Sequence, residues 1–422
     1  MGADGTLGAA RVPLRVGIDG TCWLNRRGYG RFARRLLGAL WAQSAGTDIA
    51  NTLVIDFDPT QLTDVPRDVA LLRVDTARPA ARAAAADGRR SLRDLWRTSR
   101  AISAARFDVV FFPTAYTFVP ISGPAKVAVV IHDVIAEAFP EHVFPTRRAA
   151  WLWRLKLLAA RRQADLVMTV SAASKRGIIE RFGISPDRIM VVSEAADPCF
   201  RTLPHDAAMQ QVLARWGLEG VRFLLYVGGI SPHKNLGALV AAFAALRKQP
   251  ECADYRLVLV GDYAGDVFYS AYDGLRRQIA QHGLEDAVRF TGYVPDEELV
   301  YLYNAAEVFV LPSLLEGFGL PVVEAMACGA PVVASARGAL PEVLGTAGVL
   351  FDPQRPGELH AAVQRVCTDL RLRHHLRQAG PRRAAELSWQ RAAADTLSAL
   401  RHLTAPPSQA IQHTAVETET TE

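Results

Sequence analysis

Glu-Val-Phe-Val-Leu-Pro-Ser-Leu-Leu-Glu-Gly-Phe-Gly-Leu-Pro-Val-Val-Glu-Ala-Met-Ala-Cys-Gly-Ala-Pro-Val-Val, residues 307–333, decides how this 422-residue chain is read. Residues 308–311 are a short apolar run rich in β-branched and aromatic side chains, the pattern of a buried strand. The loop Glu316-Gly317-Phe318-Gly319-Leu320 follows, then Pro321 where a helix would begin and Gly329 where it would stop. Strand, glycine loop and helix start together make an anion site. The glycines admit a ligand close to the backbone, and the free N–H groups of the first helical turn point at it. Glu316 and Glu324 flank the loop. A carboxylate repels a phosphate, so these two acids suit hydroxyls, and a ligand with a pyrophosphate between hydroxylated sugars satisfies the whole pattern. The bland alternative is a C-capped helix with two solvated glutamates.

The run from Pro312 to Pro321, continued by Glu324-Ala325-Met326-Ala327-Cys328-Gly329, resembles the donor-site signature of the family 4 retaining glycosyltransferases. The likeness extends through Pro331-Val332-Val333 and Leu340-Pro341-Glu342-Val343 to Phe351-Asp352-Pro353. It implies the α/β GT-B fold: two Rossmann-like domains facing across a cleft, with a C-terminal helix crossing back to the first. By that resemblance Glu324 binds the nucleotide ribose, Glu316 binds the donor sugar, and Gly317, Phe318, Gly319 and Leu320 line the donor.

Length and composition agree with two domains. At 422 residues, half of them hydrophobic, the chain is too long for one ordinary core. Lys and Arg exceed Asp and Glu by five, and residues 405–422 hold three glutamates and no Lys or Arg, so the rest carries about +8. That mildly basic body suits nucleotide-sugar phosphates and anionic membrane surfaces and is too weak to argue for nucleic acid. Five scattered cysteines with no C-x2-C pair argue against a disulfide framework or zinc site and for a reducing cytoplasm. Residues 1–13 lack the apolar core of a signal peptide, and no run approaches 18 apolar residues.

Along the chain, residues 14–19 read as the first strand and 32–41 as a helix. Between them Gly28-Tyr29-Gly30-Arg31 reads as a flexible turn at a helix entrance, too far from the strand for a dinucleotide fingerprint; it resembles the family's loop over the acceptor and phosphate side of the cleft. Residues 52–57 read as a strand ending in Asp56-Phe57-Asp58, a D-x-D taken as a strand end and not as a metal site. Residues 73–106 are rich in Ala and Arg, either a solvated helix face or a basic surface for anionic lipid. Strands are expected at 109–112 and 127–131, the second running into His132-Asp133 at a carboxyl edge that borders ligand crevices. By resemblance His132 approaches the transferred sugar. Residues 145–162 form a basic amphipathic helix with two tryptophans, which packs on the sheet or rests on a membrane. Strands at 164–171 and 189–192 follow.

A linker at 197–205 separates the expected domains, 1–196 and 197–385, with a crossover helix at 386–404 and a disordered tail at 405–422. The second series begins with a strand at 223–227 and Gly228-Gly229, then Ser231-Pro232-His233-Lys234-Asn235. Lys234 near a helix start resembles the family's phosphate clamp. The family often has an arginine where this chain has Gly229, and His233 or Arg31 of the other domain could compensate. Strands at 256–260 and 288–291 lead into Gly261-Asp262 and Gly292-Tyr293-Val294, the latter placed by resemblance at the nucleobase.

The reading is a retaining hexosyltransferase with no metal and no cofactor beyond its nucleotide-sugar co-substrate. His132, Glu316 and Lys234 are its catalytic residues, and Gly28, Gly30, Gly229, His233, Asp262 and Tyr293 join the glycine loop and Glu324 in binding the donor. GDP-mannose or a UDP-hexose is the expected donor and a glycan or lipid-linked hydroxyl the acceptor, on the cytoplasmic side with peripheral contact to an anionic membrane. The rivals are a nucleotide-sugar 2-epimerase, for which no extra acid–base pattern stands out, a phosphorylase lacking its lysine motif, and a sugar-nucleotide-binding scaffold. A NAD-dependent oxidoreductase is the weakest rival.

Overall fold

The computed structural model describes residues 13–25, 28–62, 64–81, 91–262 and 271–404. The expected tail, the N-terminal residues through 12 and residues 82–90 of the Arg-rich segment lie outside the described residues. Among those described, two wholly parallel sheets form. The first holds β1 (Leu14–Asp19), β2 (Ile49–Ile55), β3 (Ala70–Arg73), β4 (Val109–Phe112), β5 (Lys126–Val130), β6 (Leu166–Thr169) and β7 (Ile189–Val191). The second holds β8 (Phe223–Val227), β9 (Arg256–Val260), β10 (Val288–Gly292), β11 (Val308–Leu311), β12 (Val332–Ser335) and β13 (Gly348–Phe351).

Their orders are β3-β2-β1-β4-β5-β6-β7 and β10-β9-β8-β11-β12-β13. Each therefore reverses direction once, between β1 and β4 and between β8 and β11, and such reversals open a crevice at the carboxyl ends of the strands. The central strands are buried on both sides, so their sequences read as unbroken apolar runs. Val16 pairs with Val109 and Phe309 with Val332, and one-residue slips would turn these side chains to the opposite face of the sheet.

The helix Gly28–Ser44 covers one face of the first sheet, and Trp389–His402 packs along it. Phe32 meets Trp389 edge to face at 5.9 Å, Gln43 donates to the Gln390 carbonyl at 2.7 Å, and Arg401 pairs with Asp48 at 3.2 Å. The last helix thus crosses back to the first domain, and one apolar core runs from that face of the first sheet into the second domain. The helices Leu92–Ala104 and Arg147–Gln163 cover the other face.

Several boundaries move. Gly28 and Gly30 form the first turn of the Gly28–Ser44 helix and not a flexible turn before it; a Cβ on Gly30 would lie 2.1 Å from the Asn25 carbonyl oxygen, so close packing selects glycine there despite its poor helix propensity. β2 ends at Ile55. Beyond it Asp56 accepts from the Ala80 amide at 2.6 Å, and Asp58 caps a short turn by accepting from the Thr60 amide at 2.9 Å.

Candidate active site

The loops after β8 and β11, on either side of the second sheet's reversal, bring Lys234 and Glu316 together. After β8, Gly228 takes φ +154°, and the Pro232–Lys234 turn hands the chain through left-handed Asn235 to the helix Leu236–Leu246. The Asn235 side chain donates to the Pro312 carbonyl at 3.2 Å, and the Leu314 amide to the His233 carbonyl at 2.8 Å, lacing the two loops. Lys234 Nζ then sits 2.6 Å from Glu316 Oε1, which also accepts from the Ser313 hydroxyl at 2.5 Å. Burial pushes the Glu316 carboxyl up, but the Lys234 charge and the two hydrogen bonds outweigh it and hold the group below its ordinary range, an ionised acceptor at neutral pH.

Gly319, at φ +94°, turns the chain into the helix Leu320–Ala327, with Pro321 in its first turn. Phe318 and Leu320 are buried by their side chains, so what they present to a ligand is main chain. Glu324, one turn further, is fully buried. Its Oε2 accepts from the Tyr303 hydroxyl at 3.0 Å, and its Oε1 pairs with Arg31 of the first domain. Burial pushes this carboxyl up to about 7 against the pull of Arg31. Arg31 also holds Asp296 at 2.5 Å.

The first domain meets this loop at the end of β5. His132 Nε2 lies 3.2 Å from the Pro113 carbonyl, its Nδ1 is 3.8 Å from Glu194, and its ring packs edge to face on Phe32 at 4.8 Å. A Cβ on Gly317 would stand 2.7 Å from Asp133 Cβ and 2.9 Å from the His132 carbonyl oxygen. The Gly317 carbonyl accepts from the hydroxyls of Ser171 at 2.7 Å and Ser174 at 3.1 Å, and the Glu342 carboxylate caps the helix Ala172–Phe182 by accepting from Ala172 and Ala173. The glycine loop is thus gripped by both domains. Gly317 also serves a close approach of protein to protein.

The structure brings His132, Lys234, Glu316, Gly317, Phe318, Gly319 and Leu320 into one region, with Glu324 a turn away. Gly28 and Gly30 begin the helix that carries Arg31. Gly229 offers its carbonyl to Tyr226 at 2.7 Å. Asp262 and Tyr293 lie at the carboxyl ends of β9 and β10, towards the sheet edge, and Tyr293 is half exposed. Burial and the neighbouring Lys234 charge bring His233 down to about 3, so in the ligand-free chain its imidazole is neutral and offers a ring N–H rather than a charge. Asp296, Tyr303 and Ser171 were missed. Asp296 has only a helix-start signal, three acids after Pro295.

Asp197, Cys199 and Asp296 place potential metal-ligand atoms within 4.8 Å of one another. Two of the three already answer to cations, Asp197 to Arg35 and Asp296 to Arg31.

Comparison with known proteins bears on the family and the fold. Residues 28–199 match the model for Glycosyltransferase Family 4, and 213–383 that for Glycosyl transferases group 1. The chain is 34% identical over 274 residues to O-antigen chain mannosyltransferase B of Escherichia coli, covering 64% of itself and 69% of that protein. It is 30% identical to the serotype-specific mannosyltransferase WbdA of the same organism, covering 63% of itself and 32% of that longer protein. Its fold superposes on Anabaena HepE in complex with UDP-glucose with a TM-score of 0.68 at 20% identity, over 91% of this chain and 99% of that one. The chain belongs to the family 4 glycosyltransferases, with the GT-B fold.

Proposed function

We propose that this glycosyltransferase moves mannose from a nucleoside-diphosphate donor to a hydroxyl of a lipid-linked or polysaccharide acceptor, with retention at the anomeric carbon and without a metal. The observation that carries the reading is the Lys234–Glu316 pair beside the start of the Leu320–Ala327 helix, at the crevice where the second sheet reverses. Mannose is supported by the two mannosyltransferase relatives, and a nucleoside-diphosphate sugar by the UDP-glucose in HepE. GDP-mannose is the first choice of donor and a UDP-hexose the second.

Three parts of the chain share the chemistry. The Lys234 ammonium has two N–H groups beyond the one on Glu316, and with the amides of the Leu320–Ala327 helix start it stabilises the charge growing on the leaving diphosphate. Glu316, ionised, accepts from donor-sugar hydroxyls, and Glu324 from the ribose. His132 orients a sugar hydroxyl from the first domain. As the bond from the anomeric carbon to the phosphate oxygen breaks, the acceptor oxygen bonds to the same face, and its proton passes to the departing phosphate oxygen. Closure over the Gly317 loop keeps water from taking the acceptor's place.

The test is binding and turnover of GDP- and UDP-sugars with and without chelator. Chelator-insensitive binding of one sugar nucleotide, lost in Glu316→Ala, supports the reading. Strict metal dependence sinks the metal-free part. Binding of none moves the protein to a scaffold role. An α product from an α donor, read by NMR, is expected; a β product overturns retention.

No helix among the described residues is long and apolar enough to cross a membrane. Peripheral contact with a bilayer is supported by Trp96 and Trp151, each 58% exposed and flanked by arginines.

A further inference from the structure

The diphosphate of a sugar nucleotide brings two negative charges into the cleft, and the second domain meets them with little. Gly229 has no side chain, burial and Lys234 hold His233 towards its neutral form, and Lys234 is shared with Glu316. A guanidinium arrives from the opposite wall. Arg31, on the second turn of the Gly28–Ser44 helix of the first domain, crosses to the second domain and binds Glu324 and Asp296 there. The side chain is 20% exposed and lies over the Phe200 ring at 5.7 Å. Glu324 is one turn, about 5 Å, into the helix whose first amides face the diphosphate in the reading above. A rotamer change of the long Arg31 side chain spans such a distance.

Electrostatics favour the exchange. One guanidinium between two carboxylates leaves the group with excess negative charge whenever Glu324 is ionised, an unfavourable neighbour for a diphosphate while Arg31 stays there. Both Glu324 oxygens already have a partner, Tyr303 on Oε2 and Arg31 on Oε1, and the side chain is buried, so a ribose hydroxyl competes with the guanidinium for access. As ribose hydroxyls take Glu324, Arg31 is displaced, and the released cation is then beside the anion that needs it.

We propose that Arg31 is a donor-binding residue supplied by the first domain, exchanging Glu324 and Asp296 for the diphosphate as the ribose takes Glu324. The inference rests on the assignment of Glu324 to the ribose. It makes donor binding and domain closure one event, because the diphosphate then carries a cation from each wall.

The experiment is calorimetry on the full chain with GDP against guanosine, and UDP against uridine, for wild type, Arg31→Ala, Arg31→Lys and Asp296→Asn. Arg31→Ala is expected to weaken the diphosphate about 10- to 100-fold and leave the nucleoside unchanged or tighter, since its competitor for Glu324 is gone. Arg31→Lys recovers part of the loss. Asp296→Asn, which loosens the carboxylate hold on Arg31, tightens the diphosphate. An Arg31→Ala protein that keeps the wild-type ratio of nucleoside to diphosphate affinity, or loses both by one factor, overturns the role of Arg31 while the donor reading stands. Wild-type protein that binds neither diphosphate overturns the donor reading and this inference with it.

Discussion

At Glu324 two forces oppose each other, and the balance sets a pH dependence. Burial pushes the carboxyl from its ordinary 4.5 up to about 7, so the native chain holds this proton more tightly than the unfolded chain. Between those values the native state binds more protons, and the group's contribution to stability is full below about 4.5 and falls as pH rises through 7. Glu324→Gln should remove that fall: the melting-temperature gap between wild type and variant should shift against wild type from pH 5 to pH 8. A gap independent of pH would show that Glu324 does not titrate there. His132 poses a different question, since its ring nitrogens face the Pro113 carbonyl and Glu194 while its own carbonyl touches the Gly317 loop. If the imidazole orients the sugar, His132→Ala should cut transfer about 100-fold with nucleotide affinity within about twofold of wild type. Wild-type turnover in the variant would pass the role to the main chain.

Among the elements, the loop from Ser313 to Leu320 does the most, because β11 aims it at the ligand crevice while the first domain grips its centre. Gly317→Ala tests that grip. The added methyl would meet the His132 carbonyl oxygen at 2.9 Å, and that contact is with backbone, so the domains must part to relieve it. Transfer should drop about 100-fold, since a displacement near 1 Å is enough for such a loss, while the melting temperature of the second domain holds. Unchanged turnover would mean that the cleft works without this contact. The loop itself was legible, because β11, two glycines and Pro321 each carry a strong local signal. The same holds for β5 and β8, whose buried runs have no polar interruption. β3 was not legible: as an edge strand its four residues are mostly exposed, and exposure erases the apolar pattern. β12 was seen only as part of a motif and β13 not at all. The Arg31–Glu324 pair joins residues 293 apart in sequence, and nothing local in either stretch announces it. The neutrality of His233 in the ligand-free chain is illegible for a related reason, since it comes from tertiary burial.

For the whole molecule, the second sheet's crevice gathers the proposed donor site, and the outer layer of the first domain exposes an aromatic and basic face. The helices Leu92–Ala104 and Arg147–Gln163 share one face of the first sheet and are tied through the loop between β4 and β5, where Ser99 donates to the Pro120 carbonyl and Gln163 to that of Ile121. Leu92, Trp96, Trp151 and Leu155 stay exposed on them. Exposed arginines flank these side chains at 93, 100, 147, 148, 154 and 162, Arg100 stacks over Trp96 at 5.2 Å, and the Arg147–Gln163 helix contains no acid. Tryptophan with arginine suits the headgroup level of an anionic bilayer, where the ring enters the interface and the guanidinium meets phosphate. The full chain should therefore co-sediment with phosphatidylglycerol vesicles and much less with phosphatidylcholine vesicles. Salt near 0.5 M should release the chain, because screening removes the attraction that brings it down. The double variant Trp96→Ala, Trp151→Ala should lose at least about tenfold in vesicle affinity while keeping nucleotide binding, because neither residue belongs to the donor crevice. Equal sedimentation of wild type and double variant would move the docking surface elsewhere. Equal binding to charged and neutral vesicles would remove the electrostatic part of the argument, and the basic face would then be an ordinary solvated surface.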